Sequence, residues 1–129
     1  MRHDLLADAL SVINNAEKAG KTSCTITPVS KFVRQVLDIF KKEGYITGYE
    51  YTDNKRGGVI VVQLAGKINK TGSVKPRFSS KKDELEKFEK RYLPSKDFGF
   101  IIISTPKGLI THIEAEEKQT GGKIIAYVY

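Results

Sequence analysis

Apolar residues recur at spacings of three and four between Asp4 and Ala19, at Leu5, Leu6, Ala9, Val12, Ile13 and Ala16. This spacing predicts a helix with one apolar face. Asp4 is suited to cap its start and Gly20 to end it. Arg2, Asn14 and Asn15 fall off the stripe and read as solvated surface, with a nucleic-acid backbone contact as the functional alternative. Lys21 to Thr27 is rich in β-branched residues and predicts a short strand. Thr27-Pro28 then reads as cap and first helical position of a second helix, whose apolar face is Phe32, Val33, Val36, Leu37 and Phe40 and whose stop is Gly44. Tyr45 to Thr52 and Val59 to Leu64 predict two strands. Asp53-Asn54-Lys55-Arg56-Gly57-Gly58 between them is turn chemistry, so the pair reads as an antiparallel hairpin.

The pattern then loosens. From Ala65 to Lys82, Gly66, Gly72 and Pro76 break the chain into short extended pieces. Helical spacing resumes at Asp83 to Tyr92 through Leu85, Phe88 and Tyr92, with its charged residues expected to face solvent, and Pro94 ends it. Phe100 to Ile103 is a continuous apolar run, as expected of a strand covered on both faces. A polar loop, Ser104-Thr105-Pro106-Lys107-Gly108, leads to a return strand at Leu109-Ile110. Thr111-His112-Ile113-Glu114 has the spacing of a capping box and predicts a short helix that ends before Gly121-Gly122. Lys123 to Tyr129 alternates around Ile124, Ala126 and Val128 and predicts a closing strand. The fold class is therefore α+β. Two small α/β halves pack together: residues 1–65 run α-β-α-β-β, and residues 66–129 are mostly β with short helices.

Composition narrows the possible partners. The chain has 129 residues, 22 of them basic and 15 acidic, for a net charge of +7. The excess is concentrated: residues 66–82 contain Lys67, Lys70, Lys75, Arg77, Lys81 and Lys82 and no acid. Such a segment suits phosphate neutralisation, with a solvated linker as the bland alternative. The last 31 residues balance three lysines against three glutamates, so that unit is expected to discriminate by shape and hydrogen bonding rather than attract. Cys24, the single cysteine, reads as a small buried strand residue in a reducing compartment. No segment approaches the roughly 18 apolar residues of a membrane span.

The candidate binding residues follow from this division. Hydroxyls of Ser104 and Thr105 can meet phosphates, 2′-hydroxyls or base edges. Pro106 offers a stiff apolar face, Lys107 a cation, and Gly108 close backbone approach. Gly121 and Gly122 are expected to expose backbone amides beside Lys123. Lys75 and Arg77 are the candidate phosphate contacts of the basic segment. Tyr45, Tyr49 and Tyr51 share one side by the period of two and read as packing beneath helices, or alternatively as a base-stacking row. Catalysis has little support: His3 and His112 are the only histidines, His112 reads as a helix-surface or rim residue, and no metal-ligand spacing or cofactor fingerprint is present.

The stretch Gly99 to Ala115, with its apolar run, Ser104-Thr105, Gly108-Leu109-Ile110 and the Thr111…Glu114-Ala115 step, resembles the signature of the ribosomal protein S8 family. Asp4-Leu5-Leu6-Ala7-Asp8, Pro28-Val29-Ser30-Lys31 and Lys81-Lys82-Asp83-Glu84-Leu85 extend the resemblance along the chain. Phe88-Glu89-Lys90-Arg91-Tyr92-Leu93-Pro94 and Thr120-Gly121-Gly122-Lys123 resemble the archaeal and eukaryotic branch. The resemblance implies a cytoplasmic, non-enzymatic protein of the small ribosomal subunit, monomeric off the ribosome. Its implied partners are neighbouring ribosomal proteins and the central domain of small-subunit ribosomal RNA, bound early to help that domain fold. It carries the specific RNA contacts to Ser104, Thr105, Lys107, Gly108, Gly121 and Gly122. Pro106 departs from the serine or other polar residue usual there, and Glu116 from a basic one. A non-ribosomal RNA-binding module, or a small enzyme using Ser104, remains the alternative.

Overall fold

The computed structural model describes residues 5–27, 29–74, 79–95 and 98–129. Arg2, Asp4, Pro28 and the Lys75-Pro76-Arg77-Phe78 stretch, given roles above, lie outside the described residues. The chain divides into two compact units, 1–71 and 72–129.

In the first unit α1 (Leu5–Lys18) buries Leu6, Ala9, Leu10, Ile13 and Ala16. The stripe thus centres on Ile13 and takes in Leu10, whereas Val12 turns to its flank and is 36% exposed. β1 (Ser23–Ile26) follows, then α2 (Lys31–Lys42), β2 (Ile46–Thr52) and β3 (Val59–Leu64). All three strands are antiparallel in the order β1-β3-β2, with β3 central. Its alternate residues Ile60, Val62 and Leu64 are buried. α1 packs on β1, α2 on β2, and the two helices touch.

The start of α2 differs from the sequence reading. Ser30 is the cap, its hydroxyl accepting the Val33 N–H at 3.2 Å. Thr27 instead donates its hydroxyl to the Gly58 carbonyl at 3.0 Å and ties the β2–β3 turn to the helix entry. Both residue types can cap, and the tertiary bond decides between them. The tyrosines differ too. A register shift between Ile46 and Gly48 separates Tyr45 from the pair Tyr49 and Tyr51. Tyr45 packs on Phe40, Tyr49 donates its hydroxyl to Asp38 at 2.6 Å, and the Arg34 guanidinium lies 4.3 Å from the Tyr51 ring centre. These rings are engaged by α2, which is the packing arrangement.

Residues 65–71 are anchored rather than free. Ile68 and Thr71 are buried. Glu17 accepts the Ile68 N–H at 3.0 Å, and Asn14 lies within 3.4 Å of the Thr71 amide. Asn14 therefore has a structural partner, while Lys67 and Lys70 remain exposed.

The second unit contains β4 (Thr71–Ser73, which begins at the unit boundary), β5 (Ser79–Ser80), a single 3₁₀ turn (Lys82–Glu84), α3 (Leu85–Tyr92), β6 (Phe100–Thr105), β7 (Gly108–Thr111), α4 (His112–Glu117) and β8 (Gly122–Val128). The sheet order is β4-β8-β6-β7, with β5 also on β8. Ile101, Ile102 and Ile103 are fully buried, so both faces of β6 are covered. The pairing of β6 with β8 jumps from Ile102–Ala126 to Ile103–Ile124, a bulge at Ile125 that leaves Ile124, Ile125 and Ala126 all buried. Val74, Leu85, Phe88, Leu93 and Ala115 close the core over Ile101 and Ile103. Among the described residues no helix is long and apolar enough to cross a membrane.

Three helices end in the same six-residue closure. The amides of Lys21, Tyr45 and Thr120 reach back to the carbonyls of Ala16, Phe40 and Ala115. The left-handed residue is Gly20 in α1 and Gly44 in α2, but Gln119, at φ 52, in α4. Gln119→Gly is expected to stabilise the protein by about 1 kcal/mol in urea unfolding, because a side chain is strained there. Cys24, half-buried on β1, has its thiol pushed from an ordinary 9.0 to about 11, first by burial and then by the Glu17 carboxylate, against Lys21. A raised pKa means less thiolate at a given pH. Alkylation at pH 8 should therefore run about a hundredfold slower in the native protein than in urea.

Candidate nucleic-acid interface

β6 carries the first candidate residues. Ser104 and Thr105 are its last two residues and Gly108 is the first of β7, so the loop narrows to Pro106-Lys107. Proline cannot take the positive φ that the common two-residue hairpin turns require at their first position. Gly108 takes up the geometry instead, at φ 125, with open space where a side chain would begin. The Thr105 hydroxyl closes the turn by donating to the Gly108 carbonyl at 2.8 Å and accepting the Lys107 N–H at 3.2 Å. The tip is consequently a braced turn. Thr105 serves first as its clamp, and Pro106, Lys107 and Gly108 stand exposed.

Ser104 belongs to a row across the sheet. It pairs with Lys123 on β8 and with Leu109 on β7, and Lys123 pairs in turn with Ser79 on β5. Directly opposed residues of antiparallel strands place their side chains on one face, with Cβ atoms about 5 Å apart. Ser79, Lys123, Ser104 and Leu109 therefore line up across four strands. Ser79 and Lys123 are exposed, Ser104 and Leu109 partly so. This gives two hydroxyls flanking one ammonium, able to donate and accept around a phosphate or a sugar–base edge. Sequence reasoning passed over Ser79. Its only local mark is the Ser79-Ser80 pair within the basic segment, because its place in the row depends on β5 joining β8.

The glycine pair has a different task from the one expected. Gly121 and Gly122 are half-buried rather than a surface of open amides. A Cβ on Gly121 would run into the Ser80 carbonyl, and one on Gly122 into the Ser104 carbonyl. The glycines let β5 and β6 close on β8, and that closure brings Ser79 and Ser104 to the two sides of Lys123. Lys75 and Arg77 lie outside the described residues, while Lys81, at the end of the same basic segment, is exposed.

His112 is not a rim residue. It is 2% exposed, its Nδ1 accepts the Ile101 N–H at 3.0 Å, and its Nε2 lies 3.3 Å from Glu89 Oε1. Glu89 is correspondingly buried in α3, an exception to the solvated charges expected there. Thr111 caps α4 by accepting the Glu114 N–H at 3.3 Å, and this sets the first helical residue facing inward. Both imidazole nitrogens are thus engaged in the core, so His112 is not placed to serve Ser104, which is opposed by Lys123 and Leu109. Among the described residues no three His, Cys, Asp or Glu side chains gather as a metal site.

Gly121→Ala and Gly122→Ala should each cost about 1–3 kcal/mol in urea unfolding, since backbone must move. Gly108→Ala meets no neighbour and should cost only about 1 kcal/mol through its positive φ.

The family model for ribosomal protein S8 matches residues 4–129. The small ribosomal subunit protein uS8 of Methanococcoides burtonii is 48% identical over 126 residues, covering 98% of this chain and 97% of that protein. The protein of the same name from Archaeoglobus fulgidus is 47% identical over 129 residues, the full length of both. Both names are of a protein of the small ribosomal subunit. Matched along nearly its whole length, and on the archaeal side of the family, this chain belongs to the ribosomal protein S8 family.

Proposed function

We propose that the protein is a structural constituent of the small ribosomal subunit that binds a structured helix in the central domain of small-subunit ribosomal RNA and helps that domain fold during assembly. The observation that carries this reading is the row Ser79–Lys123–Ser104 beside the braced Pro106-Lys107 turn. It is an edge where two hydroxyls flank the Lys123 ammonium, with Lys107 at the turn, suited to a wide, shallow groove lined with 2′-hydroxyls. Membership of the ribosomal protein S8 family gives the target its class. Neighbouring small-subunit proteins complete its surroundings, and off the ribosome it is a monomer.

The two parts of the second half act differently. The cations of residues 66–82, Lys75 and Arg77 among them, meet phosphates and release counterions, which gives reach without sequence preference. Ser104, Thr105, Lys107, Gly108 and Lys123, with the glycine pair holding the strands together, supply the discrimination. Pro106 contributes an apolar face and rigidity in place of a hydroxyl.

Filter-binding competition tests the proposal. Central-domain RNA should outcompete an unrelated hairpin of equal length at moderate salt, and equal competition would sink it. Lys75→Ala with Arg77→Ala should weaken binding to both RNAs and flatten the log–log salt dependence by roughly 1–2 units. Ser104→Ala should leave the salt slope alone and cost about 1–3 kcal/mol of preference. Identical effects from both changes would contradict the division of labour.

A further inference from the structure

β6 outruns its partner β7. Thr111, the last residue of β7, pairs with Ile102, so the next residue outward, Ile101, has no strand residue opposite it on that side. The chain turns into α4 at that point, and the first residue of α4 supplies the missing acceptor: His112 Nδ1 takes the Ile101 N–H at 3.0 Å. The hairpin is therefore closed at both ends by side chains. The Thr105 hydroxyl closes the turn and the His112 imidazole closes the base.

An imidazole nitrogen that accepts a hydrogen bond carries no proton, so the hydrogen of the neutral ring sits on Nε2. Nε2 faces Glu89 Oε1 at 3.3 Å, and the side chains are 2% and 8% exposed. The opposite tautomer would set a ring N–H against the Ile101 N–H, two donors in a buried place, and would turn a lone pair toward a carboxylate. Glu89 thus selects the tautomer that the strand end needs.

We infer that Glu89, acting through His112, is a positioning residue for the hairpin: by fixing the ring tautomer it holds the junction of β6 with α4 and with it the alignment of Ser104 against Leu109. This rests on the RNA-recognition reading for its consequence, though not for its chemistry. Glu89 touches no RNA in this account. It keeps the strand that carries Ser104 paired through to its base.

The test compares Glu89→Gln, whose amide oxygen can still accept from Nε2, with Glu89→Leu, which cannot. Nitrogen-15 NMR of the wild-type ring should report an unprotonated Nδ1 and a protonated Nε2, retained in Glu89→Gln. In Glu89→Leu the tautomer should mix, and amide exchange at Ile101 and in β7 should speed up about tenfold. Preference for central-domain RNA over an unrelated hairpin should also fall about tenfold in Glu89→Leu alone. A protonated Nδ1 in the wild type overturns the inference even if Glu89→Leu does not fold. So does a folded Glu89→Leu with wild-type exchange and preference, or a Glu89→Gln that loses as much as Glu89→Leu. A wild-type protein with no RNA preference would sink the ribosomal reading alone, and the ring and exchange measurements would still decide the role of Glu89.

Discussion

Everything at the interface depends on one strand being held from all sides. Ile101, Ile102 and Ile103 of β6 are buried consecutively, and the strand pairs with β8 along one edge and β7 along the other. Burying an isoleucine side chain contributes about 1.5–3 kcal/mol, so three in a row fix β6 in place before any polar contact is counted. Ser104 and Thr105 continue this strand out of the core. Their positions are therefore inherited from packing and cost little ordering when a partner arrives.

The glycine pair completes that constraint. Where most sequences would put side chains between strands, Gly121 and Gly122 admit the Ser80 and Ser104 carbonyls. Lys123 then stands between two serines instead of at a loose edge. Lys123 is flanked in its row by neutral residues, which on the proposed reading suits this edge to fit, with long-range attraction left to the cations of residues 66–82. On that reading the protein gains specificity from the part that is rigid and affinity from the part that is charged.

Much of the fold could be read from the chain, because periodicity reports which face of an element is buried. The strands, the helices and the antiparallel hairpins stand where the spacing of Leu, Ile, Val and Phe puts them. The misreadings share one cause, a contact from far along the sequence. Thr27 and Ser30 are equally good caps by type, and Gly58, 31 residues on, takes the hydroxyl of Thr27. His112 at the start of a short helix reads as surface until Ile101 and Glu89 are brought to it. A glycine pair before a strand looks the same in sequence whether it exposes amides or admits a neighbouring backbone. The turn between Ser104 and Gly108 is legible because turn chemistry is local. Ser79 was not, because its partner Lys123 lies 44 residues away and the row forms only once β5 has joined β8.

The central claim is that the edge formed by β5, β8 and the β6–β7 turn discriminates RNA. Its most direct test is an amide chemical-shift map of the protein titrated with a central-domain RNA fragment and, separately, with an unrelated hairpin of equal length. The shifts specific to the central-domain fragment should concentrate at Ser79, Ser104 to Gly108 and Lys123, while residues 66–71 respond to both RNAs. Shifts at that edge that are the same for both RNAs, or fragment-specific shifts confined to the first unit, would contradict it.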